Sequence, residues 1–259
     1  MNKIIKISLL LLSLLPLTVK AVSIQQADSA YTADRFQEAV NAYQDIINNE
    51  GTSATLLYNL GNCYYRLGEY GEAILNYERA LRLDPTFEDA RQNLEFVNSK
   101  ITDRPGERGS FIGNALDAAA LTAKSDVWAW LSLSFFTLTL LGIIAYIFSD
   151  AVLVRKLGFF GGFVSVILTA IFIFLSLRSA SIANADDKAI VTASSTILST
   201  SPREPKDRSQ EAMLLHEGTK VTILDSVRST SDSIPTLWYD VEIDNTHRAW
   251  INAAAVEKI

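Results

Sequence analysis

Residues 127–149, VWAWLSLSFFTLTLLGIIAYIFS, and residues 157–177, LGFFGGFVSVILTAIFIFLSL, are apolar runs of 23 and 21 residues without a charged side chain. About 20 apolar residues in a helix cross a hydrocarbon core of about 30 Å. A buried core helix needs only about 10–14. In lipid every backbone polar group must be bonded within the segment, so both runs are expected to be helices. The seven-residue link DAVLVRK, 150–156, is short and makes them antiparallel neighbours. A hairpin of this kind leaves everything before it and everything after it on one side of a membrane.

The chain has 259 residues, is 49% hydrophobic and carries a net charge of −6. Outside the hairpin the flanks have ordinary polar composition, and neither flank is long enough to hold a large enzyme core. The acidic balance does not suggest nucleic acid as a partner.

The N-terminus indicates which side the flanks occupy. Lys3 and Lys6 precede the 13-residue apolar core ISLLLLSLLPLTV, and Val19-Lys20-Ala21 suits cleavage after Ala21. This is the plan of a secretory signal over residues 1–21. An uncleaved anchor is the alternative, but the core is short for a span and contains Pro16. Export of the first flank makes the link with Arg155 and Lys156 cytoplasmic, as the positive-inside rule prefers. Both flanking modules are then expected on the exported side of the membrane. The one cysteine, Cys63, has no intramolecular partner. It is expected to be a small buried residue, with a redox-sensing thiol as the sharper alternative.

A 34-residue shift aligns Glu38-Ala39 with Glu72-Ala73, Tyr43 with Tyr77, Phe36 with Tyr70 and Val40 with Ile74. That period marks a helix–turn–helix solenoid. The second copy, LLYNLGNCYYRLGEYGEAILNYERALRLDP, has small Gly61 and Ala73 for close helix approach, with Tyr64 and Tyr77 beside them. Gly68 serves the turn and Pro85 stops the second helix. Leu57, Leu60, Gly61, Tyr64, Ala73, Tyr77, Ala80 and Pro85 resemble the tetratricopeptide repeat (TPR) pattern. The expected module is 22–101, with repeats at about 20–53 and 54–87 and a capping helix at 88–101 carrying an apolar stripe with Leu94 and Val97.

Such repeats bind peptides on a concave face. Tyr58, Asn59, Asn62, Tyr65 and Arg66 are expected to point there. Asn59, Asn62 and Arg66 share one stripe able to hold peptide backbone and a carboxylate. An ordinary solvated face is the competing reading. Residues 102–124 form a linker, broken at Pro105, Gly106 and Gly109. Its apolar stripe Phe111, Ile112, Ala115, Leu116 and Ala119 suits a membrane surface or a packed connector. Gly158 and Gly162 have the GxxxG spacing of a close-packing face, against the first span or against another protein. Neither span holds an Asp, Glu, Lys, Arg or His, which argues against an ion path.

From 188 to 259 the pattern changes to five short β-like runs, which suggests a small barrel. ILSTSP, LHEGTKVTILD, WYDVEI and the final RAWINAAAVEKI resemble bacterial SH3-like domains. In that resemblance Trp238 and Trp250 are core or groove aromatics, with Ala249 in place of the usual glycine and Asn245 available for the turn. Phosphate-loop, dinucleotide and nucleophile-elbow signatures are absent. His216 and His247 stand apart, so catalytic, metal and cofactor sites are all expected to be absent.

The expected fold is a multidomain membrane protein: an all-α TPR solenoid, a transmembrane helical hairpin and an all-β SH3-like small barrel. The order of parts resembles the BatE-type proteins of bacterial aerotolerance operons. The resemblance implies a non-enzymatic scaffold or adaptor, multi-pass in the bacterial inner membrane, with its TPR and SH3-like domains in the periplasm. It would bind membrane-bound sister subunits from the same operon in a complex linked to oxidative or envelope stress tolerance. The alternative is an envelope sensor whose SH3-like domain takes cell-wall peptides.

Overall fold

The computed structural model describes residues 23–104, 108–229 and 235–259. The secretory-signal segment and the Pro105-Gly106 break lie outside the described residues. The chain divides into two compact units, one ending at Gly51 and one running from Thr52 to Ile259.

The first unit contains α1 (Ile24–Thr32) and α2 (Phe36–Glu50). Their joint turns on Asp34, at φ 56°, a left-handed conformation that Asp tolerates better than most residues. Ala27 and Ala30 of α1 are buried, as are Ala39, Val40, Tyr43 and Ile46 of α2. The Tyr43 hydroxyl donates to the Asp28 carboxylate and ties the pair across its length.

The second unit opens with α3 (Ala54–Leu67), α4 (Tyr70–Leu83) and α5 (Glu88–Asn98). Ser53 starts α3 by accepting a hydrogen bond from the Leu56 amide at 3.2 Å. Gly68 ends it at φ 82°, a left-handed cap that favours glycine. Residue 61 must be glycine because a Cβ there would lie 2.7 Å from the Tyr77 ring. Ala73, Tyr77 and Ala80 form the α4 stripe that shares this contact, and each is at most 1% exposed. Cys63 is fully enclosed, which accords with a packing role.

A short helix, α6 (Phe111–Ala120), leads into α7 (Ser125–Phe148) and α8 (Val152–Ala183). Both long helices are apolar enough to cross a membrane, and only 6% and 11% of their most apolar windows are buried. That exposure separates them from the core helices of a water-soluble protein, which hide their apolar surface. They pack along their length through Gly142, Gly158 and Gly162. A Cβ on Gly142 would meet the Gly158 carbonyl at 2.8 Å, and one on Gly158 would meet the Gly142 carbonyl at 2.6 Å. The glycine spacing therefore serves this internal contact. Trp128 stacks on Phe172 with centroids 5.7 Å apart. The link between the helices is shorter than the seven residues expected. Helix resumes at Val152, because VLVRK contains nothing that breaks one, and the Arg155 guanidinium lies 5.4 Å from the Tyr146 ring centroid.

Both ends of the hairpin emerge together. The Ser176 hydroxyl donates to the Ser125 carbonyl at 3.0 Å, and the Trp128 indole donates to the Ala120 carbonyl at 2.9 Å. Arg178 pairs with Asp117 and draws α6 onto α8.

The C-terminal region forms one antiparallel sheet of seven strands. They are β1 (Lys188–Val191), β2 (Ser195–Ser199), β3 (Glu211–His216), β4 (Lys220–Ser229), β5 (Thr236–Glu242), β6 (Arg248–Asn252) and β7 (Val256–Lys258). Their order is β3-β2-β6-β5-β4-β1-β7. Two of the five expected runs are each cut in two. Gly218, at φ 85°, turns the chain between β3 and β4, and a 3-10 turn at Ala253–Ala255 separates β6 from β7. Inward-facing Val191, Leu198, Val221, Val241, Ile243 and Ile251 make the core. Asn245 lies within the turn between β5 and β6, though without a positive φ. Asp34 is the one non-glycine residue with positive φ among those described. Asp244 holds that turn, accepting from the amides of Thr246 and His247.

Candidate protein-binding face

Tyr58, Asn62 and Tyr65 lie along one stripe of α3, and α5 supplies their neighbours. The Asn62 Oδ1 accepts from the Tyr77 hydroxyl at 2.7 Å and from the Asn93 amide at 2.8 Å. Tyr58 stands 5.0 Å from Phe87 between ring centroids, and Tyr65 stands 5.7 Å from Phe96. The result is a strip of rings and amides between α3 and α5. Phe96 remains 49% exposed at its edge, with the Lys100 ammonium over its ring. Asn59 is half-buried and Arg66 is exposed on the last turn of α3. The five residues named from sequence thus divide. Tyr58, Asn62 and Tyr65 are drawn together by α5, whereas Asn59 and Arg66 flank them. With two donors already on its oxygen, Asn62 has mainly its N–H groups left to donate.

Asn93 and Phe96 complete the strip, and sequence reasoning missed both. Their signal was their i, i+3 spacing on the polar side of the capping helix.

The opposite face of α4 is occupied by the sheet. Gly71, Ile74, Glu78 and Arg82 recur at helical spacing on the side turned away from α3. The Gly71 amide donates to the Glu217 carboxylate at 3.0 Å, so the sheet supplies a cap to the first turn of α4. Lys220 pairs with Glu78 at 2.7 Å and Arg79 pairs with Glu257 at 2.8 Å. Arg82 donates to the Ala183 carbonyl at 2.6 Å, to Asp186 at 2.9 Å and to the Ile259 main-chain oxygen. One arginine therefore binds the end of α8 and the sheet together. Lys124, at the start of α7, pairs with Asp84 at 2.7 Å.

The linker joins the same contact. Asp103 accepts from the His216 amide at 2.6 Å and from the Thr219 hydroxyl at 2.7 Å, and it meets His216 Nδ1 at 2.8 Å. Burial pushes the Asp103 carboxyl up, but these donors outweigh it and hold it below the usual carboxylate range. Arg108 donates to the Ile243 and Lys220 carbonyls. His216 and His247, apart in sequence, each have an aspartate partner, Asp103 and Asp244.

One element of this contact works against it. Burial, then the nearby Glu257, pushes Glu72 above the usual carboxylate range. The Tyr64 phenol is pushed up to about 12, first by burial and then by Glu72. A carboxyl raised on folding binds its proton more tightly in the folded state, so its charge costs stability above the folded value and nothing below the unfolded value. Glu72→Gln is therefore expected to melt about 2 °C higher than the wild type at pH 7. The two proteins should converge as the pH falls below the ordinary Glu range. Thermal melts at both pH values check this; an equal gain at low pH would exclude the charge as its cause.

The two tryptophans assigned to a groove part company. Trp238 is 1% exposed and its indole donates to Thr236 at 3.0 Å, so it is a packing residue and cannot wall an open groove. Trp250 is half-buried on β6, opposite Asp240 on β5 and Ser199 on β2. Beside it Arg248 forms a two-pronged pair with the buried Asp240.

Residues 54–87 match the family model described as the tetratricopeptide repeat. The match covers α3, α4 and the residues up to Phe87. No curated protein matches the chain. A repeat of this family supports a role in binding other proteins.

Proposed function

We propose that this chain is a non-enzymatic scaffold of the bacterial cell envelope. In this reading α7 and α8 cross the inner membrane and the strip between α3 and α5 holds a protein partner on the periplasmic side. The observation that carries it is the clamp on α4. The sheet and the ends of the hairpin bind the back of the repeat, the linker fastens to the sheet, and the α3–α5 strip stays outside that contact. A repeat held this way presents a fixed surface beside the membrane, which lowers the ordering cost for a membrane-bound partner. Repeats of this family are typically binding modules rather than enzymes, which agrees with that role.

The likeness of the whole order of parts to BatE-type proteins suggests sister membrane subunits as partners and oxygen or envelope stress as the setting. In the same reading the seven-stranded sheet is an SH3-like module whose principal task is to brace the repeat. Photo-crosslinking amino acids placed at 59 and 66 in native membranes should capture a protein, whereas one at exposed position 203 should not. Equal capture at all three positions, or none at 59 and 66, would remove the α3–α5 strip as the partner site.

A further inference from the structure

A cavity of about 460 Å³ opens between α4, α5, the joined ends of α7 and α8, and strands β1 and β4. Its lining is mixed. Leu121 and Ile182 line its wall near the two membrane helices, while Lys124, Lys188, Lys220, Arg82 and Arg91 supply positive charge and Glu78, Glu95 and Asp126 negative charge. Two of the three ammonium groups have close carboxylates: Lys124 has Asp84 and Lys220 has Glu78. The Lys188 ammonium, half-buried, makes no hydrogen bond or close ion pair with the described residues, and Glu78, Asp187 and Asp117 act on it only from farther away. Burying a charge without a partner is costly, and such a group is relieved by an anion. Burial, then the neighbouring Lys220, holds the Lys188 ammonium below the usual lysine range against the opposing pull of Glu78, Asp187 and Asp117.

The position of the cavity names the anion. Lys124 and Ser125 begin one apolar helix and Ser179 and Ile182 stand near the end of the other, so the cavity lies at the level where a bilayer's headgroups begin. Basic pockets beside membrane helices bind anionic headgroups, and the apolar wall suits the first carbons of an acyl chain. We infer that this cavity takes the phosphate of an anionic phospholipid, with Lys188 as its direct partner and Leu121 and Ile182 against its glycerol and upper chain. This rests on the reading of α7 and α8 as membrane spans.

The test uses the full chain purified in detergent and titrated with phosphatidylglycerol, phosphatidylcholine or inorganic phosphate while its melting temperature is followed. Phosphatidylglycerol should raise that temperature and phosphatidylcholine should not. Lys188→Met should weaken the phosphatidylglycerol response about tenfold, the worth of one charge-assisted contact. Without lipid the same variant should melt no lower than the wild type, since it removes a half-buried charge that has no close carboxylate. Arg155→Met, at the far end of the hairpin, should respond like the wild type. An unchanged response in Lys188→Met, or equal responses to the two lipids, would overturn the site. A matching response to inorganic phosphate would overturn the lipid as its occupant. Recovery of the chain from cells without detergent would instead refute the membrane reading, independently of the titration.

Discussion

Gly142→Leu is expected to separate α7 from α8. A Cβ at 142 would lie 2.8 Å from the Gly158 carbonyl oxygen and 3.1 Å from the Gly162 Cα. Both are backbone atoms, so no side chain can swing away to make room, and the helices must part along their contact. In lipid, helix pairs are held by close packing and not by a hydrophobic driving force, so lost contact is not replaced by another gain. The cost is at least about 1–3 kcal/mol, the usual scale of overpacking. Gly161→Leu supplies the contrast, because nothing lies within 4 Å of a Cβ there. Cysteines at 125 and 176, where Ser176 bonds the Ser125 carbonyl at 3.0 Å, report the outcome. Disulfide formation should be rapid in the wild-type background and with Gly161→Leu, and much reduced with Gly142→Leu. Equal rates in all three would show that the glycine contact does not hold the hairpin.

Uneven demand among these glycines shows how far a spacing can be read. The 158/162 pattern points to one face of one helix, and that face is buried. The residue that meets it, Gly142, has no motif around it and becomes visible only when the two runs are laid antiparallel in register. Of the motif pair, Gly158 is the one that touches backbone closely, whereas a Cβ on Gly162 would find its neighbours at an ordinary 3.9 Å.

The helical repeat and the two apolar helices were legible for a plain reason. Their determinants are local: a glycine where a tyrosine ring must pass, a proline after a helix, and runs long enough for a bilayer. Strand content was legible as composition, but its division was less so, because KVTILDSV follows HEGT with no break except the turn itself. Least legible was the clamp. Gly71, Glu78, Arg79 and Arg82 read as the solvated face of an amphipathic helix, and their partners Glu217, Lys220, Glu257 and Ala183 lie more than 100 residues away. Charges that pair across such separations carry no period. Trp238 fails for a related reason: a strand tryptophan belongs equally to a core or a groove until its neighbours are known.

Gly218→Val should release the sheet from the repeat. Residue 218 sits at φ 85°, a region that costs a β-branched residue about 1–2 kcal/mol. Its missing side chain also leaves the space in which α4 and the linker meet the sheet. A Cβ would stand 2.8 Å from the Ile74 Cδ1 and 2.7 Å from the Ile101 Cγ2. Ile74 is 1% exposed, so its methyl has little room to retreat. Strain and overpacking together come to about 2–5 kcal/mol. The same turn carries Glu217, His216 and Thr219, whose bonds to Gly71 and Asp103 depend on its position. Hydrogen exchange reads the result residue by residue. Protection at the Gly71 and His216 amides should fall sharply in Gly218→Val, while amides in the middle of α3 stay protected because Gly61 and Tyr77 are untouched. Gly68→Val provides the control for strain alone: it has a φ of 82° but no atom within 4 Å of a Cβ, and it should loosen only the end of α3. If Gly218→Val left the protection at Gly71 and His216 at wild-type levels, the sheet would not be fastened through this turn, and a braced repeat would lose its physical basis.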